Sequence, residues 1–424
     1  MSWYSEYLRE IESAIEDQRR RIAIWRATST IMKNKYNVLR SHPNIETIAK
    51  RIREVKIWSI DHLDELVKRA KDAIEDSGGY AYIARTSEEA IKIVCKIVGE
   101  GKLIIKSKSM TCSEIDLDEH LIKKNNIIVE TDLGERIIQL RGEKPSHIVV
   151  PAVHVPKEDV AELFSRITGR KLPPDIYILT QVAREMLRKY FMEADVGISG
   201  ANAIVAETGT IFIVENEGNA RFVTNAPPVH ICIAGFEKIV PEMRDACDIT
   251  TILAPYATGT VMPSYVSLIT GPSKTADIEL TPVVGVHGPK ELHVILLDNG
   301  RTKMASDPRF KEALYCIRCG SCMNECPIYQ VIDGTFGHKY FCGIGAIWTA
   351  FTSNDLSRAA AMAFTCTLCG RCTLACPLEI NIPEMIISLR RVLIGKNLIA
   401  SPHRTMVKNI IRFGDPHGAY QKYI

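Results

Sequence analysis

The chain has 424 residues, 46% of them hydrophobic and 24% charged, with a formal net charge of +3. That is long and apolar enough for two or three domains with a sizeable core, and it excludes the small secreted disulfide scaffold that 13 cysteines would suggest in a short chain. So small a net charge gives no reason to expect a nucleic-acid partner. No apolar stretch reaches the roughly 18 residues of a spanning helix, so any membrane contact would run through a partner. No signal peptide is recognised at the N-terminus, and the expected compartment is the reducing cytoplasm.

Residues 1–77 read as helices. Trp3, Tyr7, Ile11, Ala14 and Ile15 fall at helical spacing, and a later helix is expected to open after Ser59 and end before Gly78 and Gly79. From residue 78 to 303, short β-rich runs alternate with helical segments. Strands are expected at 80–84, 103–106, 127–130, 147–150, 211–215 and 292–297, and the helix after Thr86 has Glu89 placed to complete a capping box. This alternation predicts an α/β domain with a mostly parallel sheet covered on both faces.

Ligands on such sheets bind beyond the carboxyl ends of the strands. Two segments fall there: Lys106-Ser107-Lys108-Ser109-Met110 and Glu207-Thr208-Gly209-Thr210. The first is cationic and hydroxyl-rich, which suits a carboxylate or phosphate ligand, or is simply a solvated loop. In the second, Thr208 and Gly209 are candidate ligand contacts. Glu207 is either a nucleophile or an acid that only caps a turn. His230 and His293 read as core histidines, and Cys95, Cys112, Cys232 and Cys247, which lack metal spacing, as core residues. No Gly-x-Gly-x-x-Gly opens a helix and no P-loop is present, so the chain shows no nicotinamide or flavin site of its own.

Residues 304–395 hold two near-identical runs. They are Cys316-Ile317-Arg318-Cys319-Gly320-Ser321-Cys322 followed by Cys326-Pro327, and Cys366-Thr367-Leu368-Cys369-Gly370-Arg371-Cys372 followed by Cys376-Pro377. Three cysteines at three-residue intervals wrap one [4Fe-4S] cube, while the fourth, before proline, ligates the cube of the other run. This assigns Cys316, Cys319, Cys322 and Cys376 to one cluster, and Cys366, Cys369, Cys372 and Cys326 to the second. Structural zinc would leave the middle cysteine of each run without a role. The long spacer between the runs predicts a helical ferredoxin domain, with helices at 308–314, 356–364 and 382–393. Residues 301–424 carry 15 Lys and Arg against 8 Asp and Glu, a surplus that suits anionic clusters or is an ordinary basic surface. The tail, 396–424, shows little periodicity from Ser401 on and reads as an interaction segment or a loose end.

Several segments outside the cysteines carry a resemblance. Lys106 to Met110, Glu130-Thr131-Asp132-Leu133-Gly134-Glu135, Pro145-Ser146-His147-Ile148, Ala206 to Thr210, the stretch from Val229-His230 to Glu237-Lys238, and the run from Leu292 to Arg301 resemble the iron-sulfur subunit of the lactate-utilisation system. The likeness runs over about residues 20–395. It implies an LUD domain, similar in fold to sugar-phosphate isomerases and CoA transferases, joined to a twin [4Fe-4S] module. It also implies a role in oxidising L-lactate or a related 2-hydroxy acid, with a cysteine-rich subunit and an LUD-only subunit as partners and a flavin dehydrogenase as a further candidate.

Where that family reads Tyr-Pro-Gly-Pro-Ile-Gly, this chain reads Tyr340-Phe341-Cys342-Gly343-Ile344-Gly345, and most of the C-terminal region that many bacterial members carry is missing. Both departures lie on the electron-transfer side, so the difference is expected in the partner or acceptor. Cys342 reads as an extra ligand or redox thiol, or as a small buried hydrophobe. The expected function is an electron-transfer subunit passing electrons through two cubanes, with the organic chemistry left to a partner. The alternatives are an LUD-domain enzyme acting on an acyl or sugar-phosphate substrate with accessory clusters, and an iron-sulfur assembly scaffold.

Overall fold

The computed structural model describes residues 3–353 and 355–418. Four helices open the chain: α1 Trp3–Glu16, α2 Gln18–Ser41, α3 Asn44–Asp61 and α4 Leu63–Asp76. Ser59 does not begin a helix. It is buried inside α3, where its hydroxyl bonds the Val55 carbonyl at 2.7 Å, so it is spent on its own helix and the break comes at His62.

Twelve strands follow among the described residues. They are β1 Tyr80–Ala84, β2 Leu103–Lys106, β3 Ile127–Glu130, β4 Val196–Ser199, β5 Ala203–Val205, β6 Ile211–Glu215, β7 Val229–Gly235, β8 Ile239–Val240, β9 Tyr265–Ile269, β10 Lys274–Thr275, β11 Val283–Val284 and β12 Glu291–Leu297. Six form a parallel sheet in the order β1-β12-β7-β4-β2-β3. Helices on both faces bury it, which is why β12 and β7 read as unbroken apolar runs. Val294 to Leu297 and Ile231 to Ala234 have no exposed surface. Each such aliphatic side chain contributes roughly 1.5–3 kcal/mol through burial. The fold is thus the expected α/β domain with a mostly parallel sheet.

The expected strand at 211–215 exists but belongs to a second, mixed sheet in the order β8-β5-β6-β9. The strand expected at 147–150 is a loop. There His147 Nδ1 accepts hydrogen bonds from Val149 N and Val150 N, at 3.0 and 3.2 Å, taking donors a strand would need. The capping box after Thr86 is displaced by one residue: Thr86 receives the Glu89 amide, but the Glu89 carboxylate accepts from Arg85 N at 2.7 Å.

Beyond Gly300 the chain is helical. Of the expected helices, Leu356–Thr365 and Ile382–Gly395 form, whereas 308–314 holds only a short 3-10 turn at Lys311–Tyr315. Another helix, Cys342–Thr352, passes through the centre of this region and carries the fully buried Trp348. The tail forms the helix Ser401–Phe413, where Met406, Val407, Ile410 and Ile411 gather on one side; residues 419–424 of the expected tail lie outside the described residues. No helix among the described residues is long and apolar enough to cross a membrane.

Candidate iron-sulfur centre and adjoining crevice

The two cysteine runs adopt the same local backbone. Arg318 and Leu368, the residues before the second cysteine, have φ of +65° and +56°, and Gly320 and Gly370 both have +79°. Each left-handed residue turns its amide back onto the first sulfur: Arg318 N lies 3.4 Å from Cys316 Sγ, and Leu368 N 3.5 Å from Cys366 Sγ. One enclosed, apolar cavity is lined by Cys316, Cys319, Cys322 and Cys376, three from the first run and the last from the second. A second cavity is lined by Cys366, Cys369 and Cys372 together with Cys326, Cys342 and Cys322. The cavities share Cys322, Ile344 and Ile382 as a common wall.

This arrangement fits a pair of cubes and not a zinc ion. Among the described residues no three His, Cys, Asp or Glu side chains converge on one point, as a mononuclear site needs. A cube takes one thiolate per iron, so its ligands surround a cavity instead. Burial pushes the Cys376 thiol up to about 11 and Cys372 up to about 12, a cost that iron ligation removes. Glu325 ties the runs together. Its carboxylate accepts from the buried Lys35 at 3.0 Å and from Arg371 of the second run at 3.2 Å.

Cys342 lines the second cavity, fully buried, with its thiol hydrogen-bonded to Cys326. Its φ is +61°, in the left-handed region that favours glycine, so a cysteine here carries backbone strain.

A buried ion network joins the cysteine region to the α/β domain. Arg301, with no exposed surface, makes a bidentate pair with Glu114 at 2.8 and 2.9 Å and also contacts Glu237. Glu237 accepts from Arg318 at 3.3 Å, and Lys56 donates to its carbonyl. Burial pushes the Glu237 pKa up, but Arg301 and Arg318 outweigh it and hold the carboxyl well below the usual range. Arg318 in turn stacks over Trp348, 3.8 Å from the ring centroid, and over Tyr340 at 4.2 Å. Gly235 makes this possible, because a Cβ there would lie 2.0 Å from the Glu237 carboxylate.

The residues just past the carboxyl ends of β2, β3, β4 and β7 line one crevice: Ser107, Lys108 and Ser109, then Asp132, Gly200, and Glu237 with Lys238. Met110, Ile148 and Arg318 line both this crevice and the first cysteine cavity, so the two are separated by a single wall. Of the expected loop, Ser107, Lys108 and Ser109 are in place, but Lys106 is turned inward. It is buried, pairs with Asp118 at 2.5 Å and Glu130 at 2.8 Å, and is not a crevice residue. Glu207, Thr208 and Gly209 lie in the turn between β5 and β6, outside the crevice, with Glu207 exposed. The reason is packing: Gly209, with φ +66°, sits against α4, where a Cβ would come within 2.6 Å of Ile74 N. His230 is buried in β7 with Nε2 2.8 Å from Ser199 Oγ, and His293 contacts Tyr82 and Glu291, so both are in the sheet region as expected.

Sequence reasoning missed Arg301, Glu114, Arg318 and Lys238. A signal did exist for Lys238, a charge placed directly before a short apolar strand, and for Arg318, which lies inside the cysteine run.

Residues 67–297 match the family described as LUD domain, and residues 312–380 that described as 4Fe-4S dicluster domain. The region around the eight cysteines thus carries two [4Fe-4S] clusters. Lactate utilization protein B of Shouchella clausii (strain KSM-K16) is 35% identical over 391 residues, covering 91% of this chain and 80% of that protein. The uncharacterized electron transport protein YkgF of Escherichia coli (strain K12) is 31% identical over 407 residues, covering 95% and 84%. A solved DUF162 family protein from Deinococcus radiodurans matches with a TM-score of 0.29 at 18% identity, over 55% of this chain and 98% of that one.

Proposed function

Starting from a chain that belongs to the LUD-domain family, in the branch that joins this domain to a 4Fe-4S dicluster domain, we propose that it is the electron-transfer subunit of a complex that oxidises L-lactate or a related 2-hydroxy acid. The observation that carries this reading is the pair of cysteine cavities with a common wall at Cys322, Ile344 and Ile382, one sharing Met110, Ile148 and Arg318 with the crevice of the α/β domain and the other lined by the exposed Cys369. Clusters bound there supply single-electron transfer. Cys316, Cys319, Cys322 and Cys376 hold one, and Cys366, Cys369, Cys372 and Cys326 the other.

At the outer end Cys369 is exposed, which gives a redox partner direct access to the second cluster. That partner belongs to the same complex, with a cysteine-rich subunit, an LUD-only subunit and a flavin dehydrogenase as the candidates. The organic oxidation is carried out by the partner, and this chain's residues hold, insulate and connect the clusters.

The test is anaerobic purification with copurifying partners, followed by electron paramagnetic resonance before and after addition of L-lactate. Reduced [4Fe-4S] signals are expected with lactate. Reduction by dithionite but not by lactate would remove lactate as the source of electrons.

A further inference from the structure

Lys238 is 8% exposed and lines the crevice, yet among the described residues it makes no hydrogen bond and no ion pair. Every other charged side chain on that wall is engaged. Lys108 donates to the Val149 carbonyl at 2.6 Å and lies 3.6 Å from Asp132. Glu215 accepts the amides of Ala220 and Arg221, Glu217 accepts that of Leu133, and Glu237 is held by Arg301 and Arg318. The Lys238 ammonium opens onto the crevice with no protein acceptor, so an anion entering there can pair with it.

Two hydroxyls line the same crevice. Ser107 makes no side-chain hydrogen bond and keeps its donor capacity, whereas Ser109 Oγ accepts from Cys112 N at 3.3 Å and is also hydrogen-bonded to the Cys112 thiol. Met110, Ile148, Val149 and Leu253 give part of the wall an apolar face, while its carboxylates, Asp132, Glu215, Glu217 and Glu237, are held by their own partners. One unpaired cation, a free hydroxyl and an apolar face match a single negative charge on a small carbon skeleton.

We propose that this crevice binds a small monocarboxylate, with Lys238 as its counter-ion and Ser107 as a further donor, against the wall that the crevice shares with the first cysteine cavity. The proposal rests on the function given above only in placing a cluster behind that wall. Because a bound anion offsets the Lys238 charge, it makes reduction of that cluster harder. By reciprocity, the reduced protein binds the anion more weakly.

The cluster-loaded full chain, purified anaerobically, is titrated by calorimetry with L-lactate, pyruvate and acetate, and with inorganic phosphate as a dianion control. One of the carboxylates is expected to bind with 1:1 stoichiometry. Lys238→Gln should weaken it at least about tenfold, the loss of about 1.4 kcal/mol, while Lys238→Arg keeps most of the affinity. At saturation the midpoint potential of only one of the two clusters should fall. No binding by any carboxylate, tighter binding of phosphate, or an unchanged affinity in Lys238→Gln would overturn the proposal. So would a variant that shifts the potential with binding intact, because Lys238 would then serve only to balance cluster charge. If Lys238→Gln does not fold, reductive methylation of the native chain read by mass spectrometry tests the same site: the bound carboxylate must protect Lys238, and equal labelling with and without it overturns the proposal. Binding without lactate-driven reduction would leave this site standing and remove lactate as the source of electrons, and lactate-driven reduction without binding would do the opposite.

Discussion

Arg318 reaches from the first cysteine run into the α/β domain and closes on Glu237, Nη2 to Oε1 at 3.3 Å. The same carboxylate takes Arg301, so Glu237 balances two buried guanidinium groups at the junction of the two domains. Glu237→Gln would leave Arg318 without a carboxylate partner and Arg301 with Glu114 alone, and should cost about 3–5 kcal/mol of stability, measured by denaturant unfolding. Its folded pKa is depressed, so the contribution is fully present above the ordinary carboxylate range and is lost only as pH falls through the lower, folded value. The difference between wild type and variant should therefore stay nearly constant from neutral pH down to mildly acidic pH.

The crossed assignment of the fourth cysteines predicts which variants behave alike. Cys326→Ser lies in the first run but should remove the same cluster as Cys366→Ser, whereas Cys376→Ser should match Cys316→Ser. Iron content should fall by about half in each, one cubane of two, with paramagnetic resonance showing which signal survives. Pairing of Cys326→Ser with Cys316→Ser would defeat the crossed scheme.

Much of this architecture was legible because its causes are local. A cysteine run fixes its own backbone through left-handed turns and amide-to-sulfur contacts, so spacing alone brought together the four cysteines of the first cavity. Strands such as β12 advertise burial on both faces by an unbroken apolar run. The failures have non-local causes. Lys106 and Lys108 look alike in sequence, but only the distant Asp118 and Glu130 determine that Lys106 turns inward. Arg301 and Glu114 are 187 positions apart, and no periodicity links them.

His147 should give stability a pH dependence. Burial pushes its pKa down to about 4, against the hydrogen bond with Asn324, and its Nδ1 must stay unprotonated to accept two amides. A histidine depressed from about 6.5 to about 4 contributes stability that is present above the unfolded value and is lost as pH falls from about 6.5 toward about 4. The span corresponds to roughly 3 kcal/mol. His147→Gln should flatten the slope of unfolding free energy against pH in that window, and an unchanged slope would assign it to other groups.

Cys342 combines a strained backbone with a thiol against Cys326. Cys342→Gly should relieve the left-handed strain and raise stability by about 1 kcal/mol, if the lost thiol packing does not exceed it. It also removes a hydrogen bond to a cluster thiolate, so the second cluster's midpoint potential should drop while the first is unchanged. A redox titration resolving both clusters checks this, and equal shifts in the two would mean that Cys342 acts through the fold and not through its thiol.

The turn that carries Glu207 separates a chemical role from a packing one. Glu207 is exposed and outside the crevice, so Glu207→Gln should leave stability, cluster content and carboxylate binding as they are. Gly209, two residues on, is the constrained position. A methyl there would lie 2.6 Å from Ile74 N and 2.8 Å from the Ala73 carbonyl carbon, both backbone atoms of α4 that cannot swing aside, and its φ of +66° already disfavours a side chain. Gly209→Ala should cost about 2–4 kcal/mol from steric overlap and backbone strain together. Thermal unfolding of the two variants side by side decides the matter: a neutral Glu207→Gln beside a destabilised Gly209→Ala makes the turn a docking point for α4, and a loss of function in a stably folded Glu207→Gln would restore it as a site.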